Sequence, residues 1–198
     1  MRMVDLYSGL GGASEAFYRS EDWEVLRIES NWDLLGEVPK TWFFDVTRLL
    51  ENGNHLSVEK HMDLLWASPP CTEFSLAYNA PGPKAAREGR EFSPDLSLVE
   101  AAIQLREIWQ PKYWVIENVI GSIKHLEPLL GQPTQIIYPF VLWHNLPQIV
   151  MSREFEHERK SDVSSPVDMR ANVRAKIPLE LSEAVMASAT TYTLGDFV

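Results

Sequence analysis

Short apolar runs alternate with stretches of helical spacing along most of this chain. Five runs predict β-strands: MRMVDLY, WEVLRIES, TWFFDVT, HMDLLWAS and PKYWVIENV. Between them, ASEAFYRS predicts a short helix, and PDLSLVEAAIQLREIW predicts a longer one that starts at Pro94 and Asp95. Strands that alternate with helices predict a mostly parallel, doubly wound α/β sheet.

The pattern is looser in two other parts of the chain. Residues 71–94 are rich in proline, glycine and charge and predict a long loop, and loops of that length are usually functional in compact domains. After residue 132, QIIYPFVLW predicts strand and residues 152–176 are polar and weakly patterned. IPLELSEAVMASA then predicts a closing helix with Pro178 in its first turn.

Composition limits the classes of function. The length of 198 residues suits one domain, and the single cysteine, Cys71, rules out an internal disulfide. No apolar window is long enough to span a membrane and the N-terminus has no signal-like pattern, so we expect a cytosolic protein. The formal charge of −10 weighs against a protein that holds long nucleic acid by its phosphates, although a local basic patch can coexist with it.

The unusual motifs all follow predicted strands. In a parallel sheet the carboxyl ends of the strands meet at one edge, where ligands bind. We therefore expect five short segments to converge there, one after each successive strand: Ser8–Gly12, Glu29, Asp45, Pro69–Cys71 and Glu117–Asn118.

The first three segments suggest a cofactor site. The glycines of SGLGG would let the backbone approach a ligand closely, but their spacing does not indicate a pyrophosphate, and a tight turn without a ligand is the alternative. Glu29 follows at about the distance where an acidic residue accepts ribose hydroxyls; otherwise it is an exposed strand-end carboxylate. Asp45 would receive an adenine amino group or cap the turn DVTRLL. Together they favour S-adenosylmethionine.

The last two segments suggest a reaction centre. A lone cysteine is more often a buried apolar residue than a nucleophile. Cys71, however, ends a strand, begins a polar loop and follows the stiff pair Pro69–Pro70. Glu117 ends an apolar strand, where desolvation would raise its pKa and make it a proton donor near neutral pH. The alternative is a strand-end carboxylate bonded to a neighbouring loop.

DLYSGLGG, SPPCTEFS and ENV, in this order, resemble the signature blocks of the cytosine-C5 DNA methyltransferase family over roughly residues 1–125. The resemblance implies a Rossmann-like fold and methyl transfer from S-adenosylmethionine to C5 of cytosine in DNA, with S-adenosylhomocysteine as product. It implies that Cys71 adds to C6, that Glu117 acts at N3 and that Asn118 holds the 71–75 loop or Pro70. The implied cofactor-binding residues are Tyr7, Ser8, Gly9, Gly11, Glu29, Asp45 and Pro70.

The resemblance also implies that the loop after Cys71 closes over a base flipped out of the DNA. Ser75 and three cationic residues of that loop, Lys84, Arg87 and Arg90, would then contact the substrate. The alternative for the cations is a solvated run balanced by neighbouring glutamates.

The chain departs from the family pattern after Pro147–Gln148. Val150 and Ser152 stand where the family has two arginines, which leaves Arg153 as a possible substitute. Residues 150–176 leave no room for a target-recognition region, so we expect short or relaxed sequence specificity, or a second protein subunit for recognition.

We therefore expect a single domain over residues 1–198. Its parts would be a cofactor-binding half (1–65), a catalytic half (66–150), a polar linker (151–176) and the closing helix (177–190). A restriction-modification or phage enzyme in the cytoplasm of a bacterial or phage-infected cell would fit, with no metal and no membrane. The alternatives are a C5 methyltransferase acting on RNA or free cytosine nucleotide, and a non-catalytic relative serving as a binding or partner subunit.

Overall fold

A seven-stranded sheet forms the centre of the computed structural model, which describes residues 1–51, 58, 61–155 and 169–191. The sheet order is β3-β2-β1-β4-β5-β7-β6. The first five of these strands are parallel, whereas β7 runs antiparallel to β5 and β6 antiparallel to β7. The predicted doubly wound, Rossmann-like α/β sheet is thus confirmed. The strands are β1 (Arg2–Leu6), β2 (Glu24–Glu29), β3 (Thr41–Phe43), β4 (Leu64–Ala67), β5 (Tyr113–Val119), β6 (Gln135–Ile137) and β7 (Phe140–His144).

Helices cover both faces of this sheet. They are α1 (Glu15–Arg19), α2 (Pro81–Arg87), α3 (Ser97–Trp109), α4 (Ile123–Leu130), α5 (Arg170–Ala175) and α6 (Leu179–Thr190). Short 3-10 turns follow β2, β3 and β5 at Trp32–Leu34, Val46–Leu50 and Ile120–Ser122. Across the described ranges, no helix has both the length and the apolar character that a membrane span requires.

The apolar runs of the sequence become strands because both of their faces are buried. Successive residues of a strand point to opposite faces, so Met3 joins one hydrophobic cluster while Val4 joins the other. The first cluster also contains Phe17 of α1 and Leu181 of α6, and the second contains Leu105 of α3. The central strands are therefore fixed from two sides, which holds their carboxyl ends in place.

One expectation about local structure is wrong, and the structure adds detail to two others. Residues 71–94 are not a loop throughout, because α2 begins at Pro81, where the fixed φ of proline suits the first helical position. QIIYPFVLW is not one strand but the β6–β7 hairpin, which turns at Tyr138–Pro139. The predicted polar linker contains α5, and its residues 156–168 lie outside the described part of the chain.

The closing helix α6 packs against the glycine loop and α1. The Ser182 hydroxyl donates to the Ala13 carbonyl oxygen (2.7 Å) and accepts from the Ala16 amide (3.1 Å). A side chain at Gly12 would collide with the backbone of Ile177, so only glycine permits this approach. The C-terminal helix thereby supports the first βα turn.

Candidate active site

The strand register brings the predicted motifs to one edge of the sheet. Leu6 pairs with both Ile28 and Ala67, and Ala67 pairs in turn with Ile116. The segments that follow these residues therefore emerge side by side. On the far side of β2, Glu29 pairs with Phe43, two residues before Asp45. The expected convergence is confirmed.

Glu29 holds the glycine loop. Its Oε2 accepts from the Gly9 amide (2.7 Å), and its Oε1 accepts from the amides of Ser30 and Asn31 (both 2.8 Å). The residue is only 8% exposed, so the expected alternative of an exposed strand-end carboxylate is wrong. A carboxylate offers about four acceptor positions, so Oε2 can still receive a hydroxyl hydrogen.

The next pair of predicted cofactor residues, Tyr7 and Asp45, lies beside this loop. The Tyr7 hydroxyl donates to the Leu98 carbonyl oxygen (2.7 Å), and burial together with the nearby Asp45 charge raises the pKa of the phenol. Oδ1 of Asp45 accepts from the Thr47 amide (2.9 Å) and hydroxyl (2.7 Å), which is the capping role weighed as its alternative. Within the described ranges its Oδ2 has no hydrogen-bond partner, so it remains available to a ligand.

The glycine loop has features that fit a small polar cofactor. The hydroxyl oxygen of Ser8 is buried yet has no hydrogen-bond partner among the described residues. Gly9 has a φ of 51°, and its missing side chain would point into open space. Pro70 is exposed at the end of the segment that follows β4. An acceptor carboxylate, an unsatisfied hydroxyl and free space beside a glycine suit an adenosine-type ligand.

A buried polar network beneath the loop was missed by the sequence analysis. The Ser14 hydroxyl donates to Asp5 Oδ2 (2.6 Å) and accepts from Arg27 Nε (2.8 Å). Arg27 Nη1 also donates to the Pro39 carbonyl oxygen (2.8 Å). Burial raises the pKa of Asp5 to about 7, although Ser14 and Arg27 oppose that shift. The sequence did contain a signal for this network, because Asp5 and Arg27 each interrupt an apolar strand pattern, in β1 and β2 respectively.

Cys71 lies in the turn that follows β4. The Phe74 amide donates to the Cys71 carbonyl oxygen (3.0 Å), which closes the turn. The side chain is only partly buried, and it forms no disulfide. Burial first, and the Glu117 charge second, raise the pKa of the Cys71 thiol. Both effects favour the neutral thiol in the free protein.

The two β5 residues predicted with Cys71 are both buried. Burial raises the pKa of Glu117 to about 7, partly offset by a hydrogen bond with the Ser68 side chain. Asn118 Nδ2 donates to the Pro69 carbonyl oxygen (3.0 Å), and Asn118 Oδ1 accepts from the Val119 amide (2.9 Å). The contact is thus with Pro69, one residue before the Pro70 that was expected.

Gly121 is a further residue of the site that the sequence analysis missed. A side chain there would collide with the Phe74 carbonyl oxygen and crowd Leu76. The backbone that follows Cys71 consequently lies directly on the turn that follows β5. A glycine just after ENV was the sequence signal.

The predicted substrate residues are spread more widely. The Ser75 hydroxyl accepts from the Ala77 amide (3.2 Å), and the Arg87 guanidinium lies 3.7 Å from the centre of the Tyr78 ring. Arg90 forms an ion pair with Glu88 (2.5 Å), as expected if the cations of this segment are solvated and balanced by neighbouring glutamates. Lys84 lies on α2. Arg153 instead pairs with Glu183 of α6 (2.6 Å), so its guanidinium is engaged by the closing helix.

Within the ranges that the structure describes, no group of three or more His, Cys, Asp or Glu side chains is placed to hold a metal ion.

Comparison with known families agrees with this arrangement. The family described as C-5 cytosine-specific DNA methylase matches residues 1–131, which is well over half of the chain. The chain belongs to this family. The match contains the glycine loop, Glu29, Cys71, Glu117 and Asn118.

Individual relatives of this methylase-family chain are distant. A probable DNA (cytosine-5)-methyltransferase of Frog virus 3 (isolate Goorha) is 28% identical over 129 residues, 60% of this chain and 53% of the viral protein. The type II methyltransferase M.DdeI of Desulfomicrobium norvegicum is 28% identical over 134 residues, 62% of this chain and 29% of that enzyme. The match thus spans about half of the viral relative and less than a third of the bacterial one. A solved Entamoeba histolytica methyltransferase aligns with 81% of this chain and 57% of its own, at a TM-score of 0.45 and 16% identity.

Proposed function

We propose that this chain is an S-adenosylmethionine-dependent DNA cytosine-C5 methyltransferase with Cys71 as its nucleophile. The observation that carries the proposal is the hydrogen bond from Asn118, the neighbour of the buried Glu117, to the carbonyl oxygen of Pro69, two residues before Cys71. Burial raises the pKa of Glu117 to about 7. A carboxyl group with that pKa can hold a proton near neutral pH, which a proton donor to a heterocycle requires. Membership of the family supplies the substrate class.

Residues at the glycine loop would hold the cofactor. Glu29 and Asp45 would accept hydrogen bonds from its polar groups, while Ser8, Gly9 and Gly11 would line it with backbone and hydroxyl groups. Tyr7 and Pro70 would flank it. When bound, S-adenosylmethionine supplies an electrophilic methyl group and leaves as S-adenosylhomocysteine.

Cys71 and Glu117 would make C5 of cytosine reactive. The Cys71 thiolate forms a bond to C6, the ring electrons shift through C5 and C4 to N3, and N3 takes the proton of Glu117. The ring is then an enamine that is nucleophilic at C5. After C5 carries the methyl group, a base removes the C5 proton, the C5–C6 double bond re-forms and the thiolate leaves. N3 returns its proton to Glu117, which gives neutral 5-methylcytosine. This route divides one difficult substitution into easier steps.

The two pKa shifts are mutually consistent with this chemistry. Burial and the Glu117 charge both favour the neutral thiol in the free protein. Protonation of Glu117 removes that negative charge, so the same proton that serves N3 also makes the thiolate less costly. Asn118 is a positioning residue, because its bond to Pro69 fixes the backbone two residues before the nucleophile.

DNA would reach this site with the target base flipped out of the stack. Ser75, Lys84, Arg87 and Arg90 would face the substrate, and Arg153 would leave its ion pair with Glu183 if it takes part. We propose one domain with short or relaxed specificity, or with recognition supplied by a second subunit. A restriction-modification or phage role in the cytoplasm fits such a chain.

Trapping on DNA that contains 5-fluorocytosine tests the proposal. The fluorine cannot be removed as a proton is, so Cys71 should stay covalently attached to C6. We expect a cofactor-dependent adduct that maps to Cys71 and that is absent in Cys71→Ala. Cofactor binding without any adduct or methyl transfer would contradict the enzyme proposal and favour a non-catalytic relative.

The substrate alternatives are separated by a second measurement. Transfer of labelled methyl groups is compared on duplex DNA, single-stranded DNA, tRNA and dCTP. Faster methyl transfer to either form of DNA supports the proposal. Faster transfer to tRNA or dCTP would contradict it and would identify that molecule as the substrate.

A further inference from the structure

A groove of about 360 Å³ opens beside the turn that carries Cys71. Its walls are residues 73–76, one side of α2, Phe92 and the beginning of α4. The groove begins two residues after the proposed nucleophile, and none of its charged lining residues has been given a role except Arg90. The groove is a compartment next to the reaction centre, and it shares Ser75 and Arg90 with the proposed substrate-binding residues.

Aromatic rings form the apolar part of the groove. The rings of Phe74 and His125 lie 5.9 Å apart at an angle of 36°. The Phe92 ring packs against Gly82, where a Cβ would come within 3.2 Å of it. Partial burial and the neighbouring Lys124 lower the pKa of His125, so its imidazole is a neutral ring at neutral pH. Flat neutral rings at the edge of a groove are suited to stacking with a nucleobase.

Positive charge lies at the same place. Lys124 is exposed on α4, and no ion pair or hydrogen bond of its side chain is found in the described ranges. Arg90 also lines the groove, although Glu88 neutralises part of its charge. Glu73 is the acidic residue of the lining. A lysine beside these aromatic rings provides a phosphate contact next to a base contact, despite the acidic net charge of the chain.

We propose that this groove binds one unpaired nucleotide next to the target cytosine. Its base would pack against Phe92 and His125, with the buried Phe74 ring behind His125, and its phosphate would meet Lys124. The proposal rests on the proposed function, because it takes the target cytosine to lie at Cys71. Ring stacking reads a base face that all four bases share, so this contact would hold the strand without demanding a particular sequence.

Oligonucleotides with single abasic sites test the groove. The abasic site is placed in turn at the position immediately 5′ and at the position immediately 3′ of the target cytosine. We expect one position to weaken binding by wild-type protein about tenfold, the loss expected for one stacked base. Phe92→Ala should bind the intact oligonucleotide about tenfold more weakly and should no longer respond to the abasic site at that position.

Lysine variants separate the phosphate contact from general charge. Lys124→Gln should weaken binding, and an uncharged methylphosphonate at the matching linkage should then cause no further loss. Lys112→Gln is the matched control, because Lys112 lies before β5, at the opposite edge of the sheet. It should bind and respond to both modified oligonucleotides as wild type does. Circular dichroism and thermal unfolding establish that each variant is folded.

The outcomes distinguish this proposal from the proposed function. If wild type methylates DNA but no abasic position matters more than the others, the groove proposal is overturned and the enzyme stands. Equal losses in Lys124→Gln and Lys112→Gln would overturn it as well. If wild type forms no adduct yet binding shows the position-specific loss and its coupling to Phe92, the groove proposal stands and the catalytic one fails.

Discussion

Asn118 near the end of β5 donates a side-chain hydrogen bond to the carbonyl oxygen of Pro69, two residues after the end of β4, 3.0 Å away. The Asn118 side chain and the Pro69 carbonyl are both buried, and Oδ1 of Asn118 accepts a hydrogen bond from the Val119 backbone amide. The bond joins the strand that carries Glu117 to the segment that carries Cys71. One amide thus sets the position of the proposed proton donor relative to the proposed nucleophile.

Asn118→Asp should lower methyl transfer without lowering cofactor affinity. The carboxylate retains the acceptor for Val119 but cannot donate to Pro69, which leaves a buried carbonyl oxygen unsatisfied at a cost of about 1–3 kcal/mol. We expect a kcat reduced about tenfold or more with cofactor affinity unchanged, measured by single-turnover transfer and calorimetry. An equal loss of cofactor affinity would contradict a positioning role confined to the Cys71 segment.

The charge of Glu117 should control the reactivity of Cys71. Because that charge raises the pKa of the thiol, Glu117→Gln should shift the pH midpoint for alkylation by iodoacetamide downward and speed the reaction near pH 8. The chain has one cysteine, so mass spectrometry reports this site alone. Glu73→Gln is the control, since Glu73 is not among the causes of the shift. An unchanged midpoint in Glu117→Gln would show that the two groups are not coupled.

Asp5→Asn should flatten the dependence of stability on pH. Burial raises the folded-state pKa of Asp5 from 3.8 to about 7, so between these values the folded protein holds more protons than the unfolded chain. The contribution of Asp5 to the free energy of unfolding therefore falls as pH rises through that window, by at most a few kcal/mol at about 1.4 kcal/mol per pKa unit. Urea unfolding from pH 4 to 8 should show a smaller fall for Asp5→Asn.

A second buried carboxyl group should contribute to the pH dependence of the free energy of unfolding that remains in Asp5→Asn. Glu117 is also buried with its pKa raised to about 7, so Glu117→Gln should flatten the profile independently. A wild-type profile that rises from pH 4 to 7, with no difference between the variants, would contradict both assignments.

Gly121→Ala should displace the segment that follows Cys71. The added Cβ would collide with the Phe74 carbonyl oxygen, and a backbone atom cannot rotate away as a flexible side chain can. We expect methyl transfer to fall at least a hundredfold, measured under single-turnover conditions. Gly131→Ala is the matched control: its φ of 76° strains alanine by about 1 kcal/mol, but no atom lies within contact of the new methyl group. Equal activity losses in both variants would refute the steric explanation.

Much of the fold could be predicted because it depends on local pattern. Buried parallel strands need apolar side chains on both faces, so runs such as those around Val4 and Leu65 are visible without any tertiary information. The α2 helix was missed because Pro81 and Pro83 suggest a loop, although prolines in a first helical turn are compatible with a helix. The β6–β7 hairpin was missed because its two-residue turn interrupts the apolar run only briefly.

The sequence by itself determined the five parallel strands in their order, the positions of the candidate residues after strand ends, and the family. These follow from side-chain periodicity and motif spacing, which are properties of the chain before it folds. Only the tertiary structure decided that Glu117 is desolvated enough to reach a pKa of about 7, that Asn118 contacts Pro69, and that Arg153 pairs with the closing helix. Burial and hydrogen-bond partners depend on segments distant in sequence, and no local pattern specifies which of them will meet.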